Sequence, residues 1–134
     1  MQGTRVIHLD EEKDIESYKE CWSRMAKHFV IENGENIRWQ GVSNSETFTK
    51  ECKDNNLKAV VVDINACGEQ GILDVVSTLK TEGIITCPIF FISESRYEQL
   101  CDDTKESMNK MRAQYIQKTA NPQVVKEQIQ EMLK

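Results

Sequence analysis

Two short runs, Ala59–Val62 (AVVV) and Ile89–Ile92 (IFFI), are apolar at every position. A strand with one wet face alternates apolar and polar residues. A strand without alternation has to be covered on both faces, which is the condition inside a parallel sheet. Three further runs, Val6–Leu9, Ile37–Gln40 and the weaker Tyr115–Gln117, are short, carry Val, Ile or aromatic residues, and are bounded by turn or charge signals. They read as strands too.

Between the strands the apolar spacing changes to three and four. Ile15, Tyr18, Trp22, Met25 and Phe29 line one face of a helix that Gly34 would close. Phe48 and Cys52 mark a short second helix over Ser45–Lys53, and Ile72, Val75, Val76 and Leu79 a third. Tyr97, Leu100, Cys101, Met108 and Met111 predict a fourth as one continuous stripe. The fifth has Asn121 as its cap and Pro122 at the first helical position, where the missing N–H costs nothing, and carries Val125, Ile129 and Met132 on one face. Strand and helix therefore alternate five times with short connections. The expected class is α/β: a single five-stranded parallel sheet of flavodoxin-like order 2-1-3-4-5, with right-handed crossovers and helices on both faces. At 134 residues, without a repeat or a linker, residues 1–134 read as one domain.

The balance of 17 basic against 22 acidic residues gives a net charge of −5, which disfavours a surface built to neutralise nucleic-acid phosphates. No run approaches the roughly 18 apolar residues a membrane helix requires, and the N-terminus has no basic region ahead of an apolar stretch, so a soluble, cytoplasmic protein is expected. Five cysteines (Cys21, Cys52, Cys67, Cys87, Cys101) are scattered without ligand spacing and are odd in number. They fit reduced thiols, with Cys67 a space-filler and the others core. His8 and His28 lack the company a catalytic histidine needs, and Trp39 and the methionines read as packing.

In an open parallel sheet, ligands bind beyond the carboxyl ends of the strands. Those positions hold Asp10, Glu11 and Glu12 after the first strand, Asp63 after the third, Ser93 after the fourth and Lys118 after the fifth. The first and third strands are neighbours in the expected order, so Glu11 or Asp10 converges with Asp63. Crowded carboxylates repel unless protonated or joined by a cation, and hard oxygen ligands suit magnesium. A lysine and a hydroxyl on the far side add the donors that would hold a phosphoryl group. Acid, cation, lysine and hydroxyl together describe phosphoryl transfer to a carboxylate.

With these residues in order, the whole chain resembles the receiver domain of two-component response regulators. The resemblance rests on Asp10-Glu11 after VIHL, on VVVDINACGEQG with Asp63 ending the third strand and Gly71 beyond it, on Ser93 after IFFI, and on YIQK with Tyr115 and Lys118. It implies a phosphorelay switch rather than an enzyme in the ordinary sense. Asp63 would be the phosphoacceptor for a sensor histidine kinase or histidine phosphotransfer protein. Asp10, Glu11, Asp63 and the backbone carbonyl of Asn65 would hold Mg2+ or Mn2+. Lys118 and Ser93 would bind the new phosphoryl group, and Asn65 and Ser95 would tune its hydrolysis. Ser93 and Tyr115 would change the surface of helix 4, strand 5 and helix 5 that a downstream effector or output domain reads, although Tyr115 reads equally as a static rim aromatic.

The sequence departs from the family's pattern at three places. Cys67 stands where proline is usual, Thr119 follows the lysine where proline is usual, and Glu11 replaces the commoner aspartate. A cis bond before a non-proline residue costs about 2.5–4 kcal/mol. Either the Lys118–Thr119 bond carries that strain or it is trans and Lys118 is aimed differently. The competing expectation is a degenerate receiver that docks partners without phosphorylation. A small hydrolase or a nucleotide- or flavin-binding domain ranks last, because no glycine-rich phosphate loop follows the first strand.

Overall fold

A computed structural model describes residues 5–25, 38–53, 57–66, 69–119 and 121–133, with the side chains of all but 19–25 and 69–70. The elements run β1 (Arg5–Leu9), α1 (Glu12–Met25), β2 (Arg38–Val42), α2 (Ser45–Cys52), β3 (Leu57–Asp63), α3 (Glu69–Thr81), β4 (Ile89–Ser93), α4 (Asp102–Met111), β5 (Gln114–Gln117) and α5 (Pro122–Met132). All strands pair in parallel, in the order β2-β1-β3-β4-β5. This is the order expected from the alternation of strand and helix.

Strand side chains alternate between faces, and the core divides accordingly. Ile7, Leu9, Val60, Val62, Ile89 and Phe91 enter the cluster covered by Phe48 and Cys52 of α2, Ile72, Leu73, Val76 and Leu79 of α3, and Met108 and Met111 of α4. Val6, Ala59, Val61, Phe90, Ile92 and Ile116 enter the opposite cluster, covered by Tyr18 of α1 and Val125 and Ile129 of α5. The non-alternating runs AVVV and IFFI are thus buried on both faces.

The predicted fourth helix is corrected. A 3-10 turn spans Tyr97–Gln99, Leu100 and Cys101 are extended, and α4 starts only at Asp102. Tyr97 and Cys101 are exposed, so they leave the apolar stripe, while Leu100 stays buried. The aspartates at 102 and 103 explain the late start, since acidic side chains favour the positive end of a helix over its interior. Strand β2 runs on to Val42, two residues past the expected Gln40. Met132 of α5 is half exposed, at the end of the face that buries Val125 and Ile129. Asn121 caps α5 as expected, its side chain accepting from the Gln123 N–H. The expectations for Phe29, His28, Gly34, Ile37 and Cys67 lie outside the described residues, as do the side chains of Cys21, Trp22 and Met25.

Candidate functional site

Strand parity decides which polar residues meet. Asp10 follows Val6 and His8 on one face of β1, Asp63 follows Val61 on β3, and Lys118 follows Ile116 on β5. All three therefore leave the sheet on the side of α1 and α5. Backbone pairing continues one residue past the strands, with the Asp10 N–H donating to the Val42 carbonyl (3.1 Å) and the Lys118 N–H to the Ser93 carbonyl (2.6 Å). The β1–β3 register, Leu9 against Val62, brings Asp10 beside Asp63 at the carboxyl edge.

Lys118 reaches into this corner and donates to three carboxylates: Asp10 Oδ1 at 2.8 Å, Asp14 Oδ2 at 2.7 Å and Asp63 Oδ2 at 2.8 Å. Asp10, Asp63 and Lys118 are 0%, 5% and 9% exposed, so the charges are largely withdrawn from water. Burial opposes the charge on Lys118, but its three hydrogen bonds overcome this and hold the ammonium well above its ordinary range. Burial likewise opposes the charge on Asp10, where hydrogen bonds from His8 and Lys118 win and hold the carboxyl at about 2. At Asp63 burial prevails: with Asp10 adding to it, the carboxyl is pushed up despite bonds from Lys118 and the Asn65 N–H.

With all three carboxylates ionised, one ammonium would leave two negative charges uncompensated, which a divalent cation would balance. Asp10, Asp14 and Asp63 each offer an oxygen within 4.8 Å of the others, a donor set of hard oxygens compatible with such an ion. Asp14, from the first turn of α1, lies outside the set of residues that the sequence points to. The expected ligand Glu11 is turned outward, its side chain half exposed and 3.6 Å from Lys13. Its backbone N–H instead donates to Asp10 Oδ1 at 2.7 Å.

The other expected positions form a second layer on the β4 side. The Asn65 N–H donates to Asp63 Oδ1 (2.8 Å), and its amide donates to Ser93 Oγ (3.3 Å), which also accepts from the Ser95 N–H (3.2 Å). Ser93 follows Phe91 on its strand and so faces away from Lys118, linked to Asp63 only through Asn65 among these contacts. The Tyr115 hydroxyl donates to the Ser95 carbonyl, and its ring lies 5.7 Å from that of Tyr97. The Lys118–Thr119 peptide is trans, and in that form Lys118 still reaches Asp63. Two further residues reach the site: His8 Nε2 lies 3.1 Å from Asp10 Oδ2, and Trp39 Nε1–H donates to His8 Nδ1 at 3.3 Å.

A parallel 2-1-3-4-5 sheet with an acidic triad at its carboxyl edge defines the class: the chain has the CheY-like fold of response-regulator receiver domains. A CheY-like receiver domain protein from Methanospirillum hungatei superposes with a TM-score of 0.67 over 98% of this chain and 94% of its own, at 14% identity. A chain from the complex of the histidine kinase ThkA with the response regulator TrrA gives 0.65 over 100% of both chains, at 18% identity. The lysine decarboxylase LdcF of Francisella novicida gives 0.58, with 99% of this chain covering 17% of that enzyme at 17% identity. No protein-family model and no curated protein matches the sequence. Among the described residues no helix is long and apolar enough to cross a membrane.

Proposed function

We propose that this chain is a phosphoacceptor switch that takes a phosphoryl group from a phosphohistidine onto Asp63. The observation that carries the reading is the contact of Lys118 Nζ with Asp63 Oδ2, 2.8 Å, inside a cluster completed by Asp10 and Asp14. A carboxylate oxygen of Asp63 attacks phosphorus, the P–N bond breaks, and the imidazole nitrogen keeps the electron pair and takes a proton from solvent. Lys118, already at Asp63, follows the charge onto the new phosphoryl oxygens. Asp10, Asp14 and Asp63, with the Asn65 carbonyl that the resemblance adds, would hold Mg2+ or Mn2+. When bound, that cation offsets the negative charge of the transferring oxygens.

Ser93 would turn its hydroxyl to the phosphoryl group, releasing Asn65, and Tyr115 would leave the Ser95 carbonyl to follow it. The readout surface would be α4, β5 and α5, and Asn65 and Ser95 border the path of a hydrolysing water. A sensor histidine kinase or a histidine phosphotransfer protein is the donor this chemistry calls for. A structurally similar receiver has been crystallised with a histidine kinase, which supports that partner class.

The test is intact-protein mass after incubation with acetyl phosphate, with and without Mg2+. A Mg2+-dependent gain of one phosphoryl group, absent in Asp63→Asn, is expected. The second reading, a docking module that is never phosphorylated, is favoured by Lys118 filling the centre of the three carboxylates and by the 5% exposure of Asp63. A folded protein that gains no mass would establish it over the first.

A further inference from the structure

We propose that His8 is a positioning residue for this site: its imidazole, oriented by Trp39, grips the rear oxygen of Asp10 and so aims the other at Lys118 and the cation position. The inference rests on the receiver reading. Val6, Ile7 and Leu9 around it on β1 are fully buried and apolar, so the strand's packing alone calls for an apolar residue at position 8. An imidazole there costs free energy unless both nitrogens are satisfied. Both are. His8 is 1% exposed, and its two ring nitrogens face Trp39 Nε1 at 3.3 Å and Asp10 Oδ2 at 3.1 Å.

The indole N–H can only donate, so His8 Nδ1 accepts and Nε2 carries the proton that goes to Asp10. The ring plane is held as well, by Tyr18 edge-on at 4.5 Å and 85° and by Trp39 at 5.7 Å and 69°. Room for the indole comes from Gly41, the residue paired with His8 on β2: a Cβ there would lie 2.7 Å from Trp39 Cη2.

Asp10 divides its oxygens accordingly. Oδ1 accepts from Lys118 Nζ at 2.8 Å and from the Glu11 N–H at 2.7 Å, while Oδ2 accepts from His8. Without His8 a fully buried oxygen loses this donor, and the carboxylate gains freedom to rotate Oδ1 away from the cluster. Outer partners that orient a ligand in this way typically change metal affinity by about 10–100-fold when removed.

The experiment uses the full chain and Mn2+ as the probe. EPR titration should give His8→Leu an affinity about 10-fold below the parent or weaker, with phosphorylation by acetyl phosphate slowed in step. His8→Gln, whose amide can donate from the place of Nε2, should restore most of both. Equal Mn2+ affinity in His8→Leu and parent, or equal impairment of the Leu and Gln variants, overturns the positioning role and leaves the receiver reading standing. A parent that binds no Mn2+ overturns both. Should His8→Leu not fold, 15N NMR of the parent's imidazole decides alone: a proton on Nε2 is expected, and one on Nδ1 overturns the inference.

Discussion

Lys118 meets three carboxylates within 2.8 Å while only 9% exposed. Removing one partner of a buried charge cluster costs about 3–5 kcal/mol, because the remaining charges are left uncompensated. Lys118→Met is therefore expected to lose about 3 kcal/mol of stability at neutral pH. A divalent cation would supply positive charge to the same three carboxylates, so millimolar Mg2+ should recover part of the loss. Urea unfolding with and without Mg2+ checks both; a variant indifferent to Mg2+ would show that Asp10, Asp14 and Asp63 do not act as one site. Asp10, Asp63 and Lys118 were legible because strand ends and period-two alternation can be read directly. Asp14 was not, because its direction depends on where α1 begins. With Glu12 as the first helical residue, Asp14 lies in the first turn and its side chain tilts back toward the sheet edge, whereas Glu11 stays outside. The acidic run Asp10–Glu12 leaves that start open to a sequence reading. His8 was missed because its donor Trp39 comes from another strand, in a register the sequence does not display.

At the level of elements, α1 packs on β2 over Gly41. An added Cβ would stand 2.6 Å from Ile15 Cγ2 and 2.7 Å from Trp39 Cη2, so something has to move. Neither neighbour yields readily, since Ile15 is β-branched with a stiff first torsion and the far atom of Trp39 is part of a rigid ring. Gly41→Ala should cost about 1–3 kcal/mol, read as a lower thermal midpoint. It should also alter tryptophan emission, because the displaced ring is the one bonded to His8. An unchanged melt would mean that α1 can lift from β2 freely. The strands and the alternation of elements were legible because Val-, Ile- and Phe-rich runs leave little choice of environment. The break before α4 was not, because Leu100, Met108 and Met111 remain buried whether or not the chain between them is continuous helix. Spacing reports the buried face and is silent on the two extended residues ahead of Asp102.

Across the whole molecule, Lys118 joins β1, α1 and β3 to the end of β5, over sequence separations of 108, 104 and 55 residues. The ionisation of this corner therefore bears on global stability, and its two buried acids act with opposite sign. Asp10 is lowered from 3.8 to about 2 in the folded protein, so the unfolded chain binds its proton more tightly. Its contribution is present above about pH 4 and is lost as the pH falls through about 2, amounting to about 2 kcal/mol. Asp63 is raised by burial, so the folded protein binds its proton more tightly. Its contribution is present below the unfolded value and is lost as the pH rises through the folded one. On acidification the Asp63 contribution is gained first, as its proton removes a charge that burial disfavours, and the Asp10 contribution is lost afterwards. Urea midpoints measured from neutral pH downward should thus hold up or rise before they fall. Asp63→Asn should remove the early gain and keep the late loss, and Asp10→Asn should do the reverse. Parent and Asp63→Asn curves of the same shape would mean that folding does not raise the Asp63 carboxyl.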